Sequence, residues 1–297
     1  MAKASTTLPL RSCIVAAVAV VAAFVAMPEA GASELIARDA TGVTIQADAQ
    51  GRALISFRSG GQSKQLLAWG AVDARPPSPS VPQVAFRLQY GGSIGRNVCG
   101  AYRGPPLAWK VAACTTPDGT HWAVQAWQRT LPNYGASATG VRAAWELHLS
   151  HWSGPLAVLE IATDWSYRRF EHLYGRLTYR RAPVFGFRST RYGVPLDAYG
   201  RNVYVDTLGS AYGSGWKREN SFLAHNPNGT FCYGFYPHSA GGTGAGTRYR
   251  ATVIGPGVTP DVMWQGPAAG PFDPARDAEA NTRQRALLAG DRLCKVN

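Results

Sequence analysis

The chain has 297 residues, with 30 lysines and arginines against 18 aspartates and glutamates, a formal net charge of +12, and five cysteines. That length holds one large all-β domain or two small ones, and the charge favours polyanionic over cationic partners. Beyond the first segment no run is long and apolar enough to cross a bilayer as a helix.

Lys3 and Arg11 precede an apolar run from Cys13 to Met27, and Ala30-Gly31-Ala32 offers the small residues a signal peptidase takes. The run is about 15 residues, short of the ~20 that a spanning helix needs. Residues 1–32 therefore read as a cleaved signal peptide and 33–297 as one exported domain, extracellular or associated with the cell wall. Cleavage leaves Cys99, Cys114, Cys232 and Cys294 in an oxidising compartment, where four cysteines allow three pairings.

From residue 43 onward, turn signals recur at short intervals between alternating apolar and polar runs, the pattern of an antiparallel β-sandwich. Val43–Ala47 and Ala53–Phe57 flank Asp48-Ala49-Gln50-Gly51 as a hairpin, and a third run spans Gln65–Val72. A stiff proline-rich connector, Arg75–Gln83, follows. Phe86–Tyr90 reads as a strand. Val98–Arg103, Leu107–Cys114 and His121–Gln128 make a meander that brings Cys99 opposite Cys114.

"AAWELHLSHW" and "LAVLEIATDW" read as a hairpin closed by Ser153-Gly154-Pro155. Period two puts Trp145, Leu147 and Leu149 on one face and Glu146, His148 and Ser150 on the other, with Glu160 across from His148. Two carboxylates and an imidazole on one sheet face suit glycosidic cleavage, one carboxyl as acid and the other as nucleophile or base. The same pattern also describes the wet face of an antiparallel sheet. His148 and His151 fall on opposite faces, which argues against a shared metal.

Seven arginines then interleave with aromatic residues in "SYRRFEHLYGRLTYRRAPVFGFRSTRY". Arginine forks grip carboxylates bidentately and aromatic faces stack on sugar rings. Arg168, Arg169, Arg176, Arg180, Tyr167, Tyr174 and Tyr179, with Trp216 further on, form the candidate ligand set. Nucleic acid is the weaker partner, since no nucleic-acid-binding motif accompanies the charge. "GGTGAG" lacks the lysine of a phosphate-binding loop, and no cofactor motif stands elsewhere.

Ser221–His225 and Thr230–Tyr236 flank the turn Asn226-Pro227-Asn228-Gly229 as a second hairpin, which makes Cys232 a disulfide half with Cys294 as the favoured partner. Asp273-Pro274 opens a helix that runs to about residue 289 before Gly290.

"HWAVQAWQRTLPNYG", "NVYVDTLGSAYGSGWKRENSFLAHNPNGTFCYGFYPH" and "YRATVIGPGVTPDVMWQGPA" resemble stretches of uncharacterised exported proteins of high-GC soil bacteria. That resemblance implies export and brings no activity with it. At the level of fold the chain is similar to the jelly-roll sandwiches of lectins and polysaccharide lyases. The expectation is a secreted, disulfide-stapled β-sandwich that binds an anionic polysaccharide. The alternatives are a glycosidase or lyase using Glu146, His148 and Glu160, and a structural envelope or matrix protein.

Overall fold

The computed structural model describes residues 33–78, 80–129, 131, 143–168, 170–184, 188–189, 195–210, 213–219, 222–225, 230–234 and 246–288. Within the first half, β1 (Glu34–Arg38), β2 (Thr41–Ala47), β3 (Ala53–Ser59), β4 (Gln62–Trp69) and β5 (Arg87–Tyr90) precede β6 (Gly100–Ala101), β7 (Lys110–Thr115), β8 (His121–Trp127) and β9 (Glu146–Trp152). They form two antiparallel sheets, β2-β3-β4-β5 and β1-β9-β8-β7-β6. Alternation makes them amphipathic. Ile55, Phe57, Leu66, Trp122, Val124, Leu147 and Leu149 meet between the sheets in one core. Each fully buried leucine there contributes roughly 1.5–3 kcal/mol.

The second half repeats the scheme. Its strands are β10 (Val158–Ser166), β11 (Phe170–Tyr179), β12 (Ala182–Pro183), β13 (Arg188–Ser189), β14 (Pro195–Leu196), β15 (Val203–Ser210), β16 (Gly213–Arg218), β17 (Phe222–His225), β18 (Thr230–Gly234), β19 (Arg248–Val253) and β20 (Val262–Pro267). Sheets β10-β11-β18-β17 and β16-β15-β19-β20 are again antiparallel. They close over a second core of Leu173, Leu177, Val203, Val205, Tyr249, Ala251 and Val253. The chain is therefore all-β in sandwich-like sheet pairs, with one C-terminal helix among the described residues, α1 (Pro274–Leu288). Asp273 caps that helix as its sequence requires, its Oδ1 accepting from the backbone N–H groups of Ala275 (2.9 Å) and Arg276 (3.1 Å).

Each core also takes a residue from a loop of the other half. Ala74, in the segment entering the proline-rich connector, packs into the second core, and Val258, from the β19–β20 loop, packs into the first. The connector leaves β4 and returns to β5, its hydrogen-bonded neighbour, so it is an excursion from one sheet. Cys99 and Cys114 are bonded beside the β6–β7 ladder, with Cα atoms 5.5 Å apart. The expected Cys232–Cys294 pair and the signal segment lie outside what is described.

The expected β9–β10 hairpin does not form. β9 pairs with β1 and β8, while β10 pairs with β11. Ser153-Gly154-Pro155 is a crossing between the sheet pairs. Asp73 holds it there, its carboxylate accepting from Ser153 N (2.9 Å) and Ser153 Oγ (2.7 Å). Nor is the Glu146 face of β9 wet. Every residue from Glu146 to Trp152 is buried, because β9 lies in a central layer with the first core on one side and the β19–β20 loop on the other. Trp145, expected in the core, is half exposed.

Candidate functional site

Glu146 and His148 point into the layer that joins the two halves. The β19–β20 loop carries Asp261 to them: His148 Nδ1 lies 3.1 Å from Asp261 Oδ2, and His148 Nε2 lies 3.5 Å from Glu146 Oε2. Arg38 and Arg129 each reach Glu146 at 3.0 Å. Asp261 also accepts from Trp127 Nε1 (2.6 Å), from Gly255 N (2.9 Å) and from Ser33 Oγ. Burial alone would strip the His148 ring of its proton. The Asp261 charge and hydrogen bond, with Glu146 on the far side, outweigh burial and push the ring up to about 9. Burial would likewise raise Glu146 and Asp261, yet their cationic and donor neighbours hold both below the usual carboxylate range.

Ser33, His148 and Asp261 are the residue types of a nucleophilic triad in the wrong arrangement. Ser33 Oγ stands 3.0 Å from His148 Nδ1, the same ring nitrogen that meets Asp261. A proton relay needs the nucleophile and the orienting carboxylate on opposite ring nitrogens. Here the cationic ring sits between two buried carboxylates, an arrangement that locks the loop to the sheet. Glu160, the other expected carboxylate, is in a different sheet. It is half exposed, faces Arg176 across the β10–β11 ladder and forms an ion pair with it. The structure thus joins Glu146 to His148 and separates both from Glu160. Asp261, which completes the cluster, lies over 100 residues away in the chain and carried no local signal.

The arginine-rich stretch is spread along β11. Tyr167 and Arg168 occupy the β10–β11 turn and are exposed; Arg169 lies outside the described residues. Tyr174 is buried beneath α1, donating to Ala280 O at 3.2 Å. Tyr179 and Arg180 stand at the far end of the strand, roughly 30 Å from the first turn at ~3.3 Å per residue. Arg180 and Arg181 form the two-residue turn into β12, with φ of 51° and 66°, and Tyr167 and Arg168 have φ of 52° and 57°. Such turns favour Asn-Gly, because the left-handed conformation costs an L-residue roughly 1–2 kcal/mol.

That strained Arg180–Arg181 turn borders a cavity of about 290 Å³ lined by Ala74, Pro76, Pro77, Tyr179, Arg180 and Tyr199, among others. The Tyr179 and Tyr199 rings meet edge to face at 6.5 Å. Tyr179 Oη accepts from Ala74 N at 3.2 Å, which ties the start of the connector to the floor. Arg180 lies over the Tyr179 ring (5.5 Å) and pairs with Asp73 at 2.8 Å, while half of its side chain stays exposed. The prolines and Tyr199 were not legible as site residues, since only the fold brings residues 74–77 against 179–199.

Trp216 is on β16, remote from β11 in the sheet order. Arg250 stands between Trp216 (4.4 Å) and Trp109 (5.6 Å), and Trp109 stacks on Trp127 at 5.5 Å. Buried Asp206 fixes this ladder, pairing with Arg250 at 2.8 Å and with Arg218 at 2.5 Å. Trp216 therefore serves a cation–aromatic seam between the halves. Among the described residues no cluster of His, Cys, Asp or Glu is placed to hold a metal ion.

Fold and site together define an all-β protein of paired antiparallel sheets with an arginine-rimmed aromatic cavity. Comparison with protein-family models, with curated proteins and with solved structures finds no match to this chain.

Proposed function

We propose that this is a secreted protein that binds anionic polysaccharide outside the cell, and that the cavity beside Arg180 receives a uronate-type ring. The observation that carries this reading is the Arg180–Arg181 turn. Two adjacent arginines hold a conformation that glycine or asparagine would hold at less cost, and the first of them, Arg180, lines an aromatic cavity. Strain retained at such a rim marks positions kept for contact rather than stability. The apolar walls suit the C–H face of a pyranose. Arg180, oriented by Asp73, keeps donors free for a bidentate grip on a carboxylate. A cleavage role for Glu146, His148 and Glu160 would need them on one accessible face, and they are not.

The test is retention on immobilised polygalacturonate and on its methyl-esterified form, which keeps the ring and loses the charge. Salt-sensitive retention on the first and little on the second supports the reading, together with weaker retention of Arg180→Ala. Equal retention on both columns, or an unaffected variant, would sink it.

A further inference from the structure

The connector Arg75–Gln83 has four prolines in nine residues. Proline fixes φ and lacks an N–H, so such a stretch is stiff and donates few backbone hydrogen bonds. Every described residue from Arg75 to Pro82 is exposed, and no residue from Arg75 to Gln83 belongs to either core. Ala74, just before, joins the second core, and Val84, just after, packs against the first. Yet Pro76 and Pro77 form one wall of the cavity beside Arg180. Something other than burial has to hold that wall.

Gln83 supplies the hold. Its side-chain Oε1 accepts from Arg75 N at 2.7 Å and from Val84 N at 3.1 Å, and its Nε2 donates to Arg75 O at 2.8 Å. One amide side chain thus makes a two-way pair of hydrogen bonds across the mouth of the loop and closes it. Among the described residues, the connector's other hydrogen bonds stay inside it, between Ser78 Oγ and the Ser80 Oγ, Ser80 N and Val81 N atoms. Packing around the latch is tight. Gly257, in the β19–β20 loop, has φ of 56°, and a Cβ there would stand 2.9 Å from Ala74 Cα and 3.0 Å from Gln83 Oε1. Glycine lets that loop lie directly against the latch.

We infer that Gln83 is the positioning residue of the Arg180 cavity: it latches the two ends of the connector together and so sets the Pro76–Pro77 wall before a ligand arrives. The inference rests on the function proposed above, since it concerns the same cavity. Asp73 and Ala74 are held separately, by Arg180 and by Tyr179. The chain entering the wall is therefore fixed up to Arg75, and the latch fixes its return at Gln83. Two prolines that leave a fixed point have little backbone freedom left to lose. Ordering of the wall is then complete on folding, and a site ordered beforehand binds more tightly than one ordered by its ligand. Without the latch, residues 75–83 form an open loop whose wall must be ordered as the ligand binds.

The test compares wild type with Gln83→Met, which keeps the length of the side chain and loses its hydrogen bonds. Gln83→Glu keeps an accepting oxygen and, when ionised, loses the donation to Arg75 O. Ser80→Ala, in the same loop but outside the cavity wall, is the control. Calorimetric titration with oligogalacturonate should give several-fold weaker binding in Gln83→Met, a smaller loss in Gln83→Glu and none in Ser80→Ala. Hydrogen exchange at Val81 N and Val84 N should quicken in Gln83→Met while β4 and β5 keep their wild-type protection. Faster loop exchange with unchanged affinity overturns the positioning role, and so does a Gln83→Met loop as protected as wild type. If wild type itself binds no oligogalacturonate, the ligand reading falls, and the exchange comparison still decides whether Gln83 holds the wall.

Discussion

His148 and Asp261, separated by more than a hundred residues, meet at 3.1 Å in the layer between the two sheet pairs. The contact connects a central strand of the first half to a loop of the second, and it is charged. Because the folded ring is raised to about 9 from an ordinary value of 6.5, the folded state holds this proton more tightly than the unfolded one. Its stabilisation is complete below pH 6.5 and is lost as pH rises through about 9. Replacing His148 with Gln should flatten the alkaline decline in Tm over that window. An unchanged alkaline limb would mean that the ring is neutral in the folded state.

The buried and exposed carboxylates should behave differently. Asp261→Asn or Glu146→Gln removes one partner of a buried cationic network, and such losses cost about 3–5 kcal/mol. Glu160→Gln, in an exposed pair with Arg176, should cost about 1 kcal/mol or less. Urea denaturation of the three variants would separate them, and a Glu160 variant as damaged as the Asp261 one would contradict the assigned burial.

Glu171, buried in the second half, is raised to about 7, chiefly because burial penalises its charge. An acid raised on folding favours the folded state while protonated, so its contribution falls as pH climbs from 4.5 to 7. Glu171→Gln should leave stability near pH 4.5 unchanged and increase it at pH 8. A variant destabilised equally at both values would show that its contacts outweigh its charge.

Arg181→Gly relieves a left-handed residue at φ 66° and should stabilise the fold by roughly 1 kcal/mol. It also removes a cation adjacent in sequence to Arg180, which lines the cavity. Rising Tm with falling retention on polygalacturonate is the expected combination. Falling Tm would mean that the turn carries no strain.

The disulfide is a further case. Cys99 and Cys114 are 15 residues apart, and closing a loop of that length contributes about 3 kcal/mol. The double serine variant should lose about that much, measurable as a lowered urea midpoint.

Much of the fold was legible because local signals and long-range packing agree. Ile55 and Phe57 alternate with Ser56 and Arg58, so the β2–β3–β4 meander could be read directly, as could the Asp273 helix cap and the Cys99–Cys114 hairpin. The errors came where a local signal had two uses. Ser153-Gly154-Pro155 looks like a hairpin turn and serves as a crossing, which Asp73 decides from eighty residues upstream. The alternating Glu146, His148 and Ser150 looked like a wet face because Asp261, which meets His148 there, is remote in sequence. Composition made Tyr179 and Arg180 candidates, whereas the Tyr199 and prolines that share their cavity emerge only from the fold.

The most direct measurement is calorimetric titration of wild type and Arg180→Ala with oligogalacturonate and with its methyl ester. Binding of the acid form that weakens with added salt, is several-fold poorer in the variant and is lost with the ester is the predicted result. Heat of binding that is the same for acid and ester, or for wild type and variant, would contradict an arginine-gripped anionic sugar at this cavity.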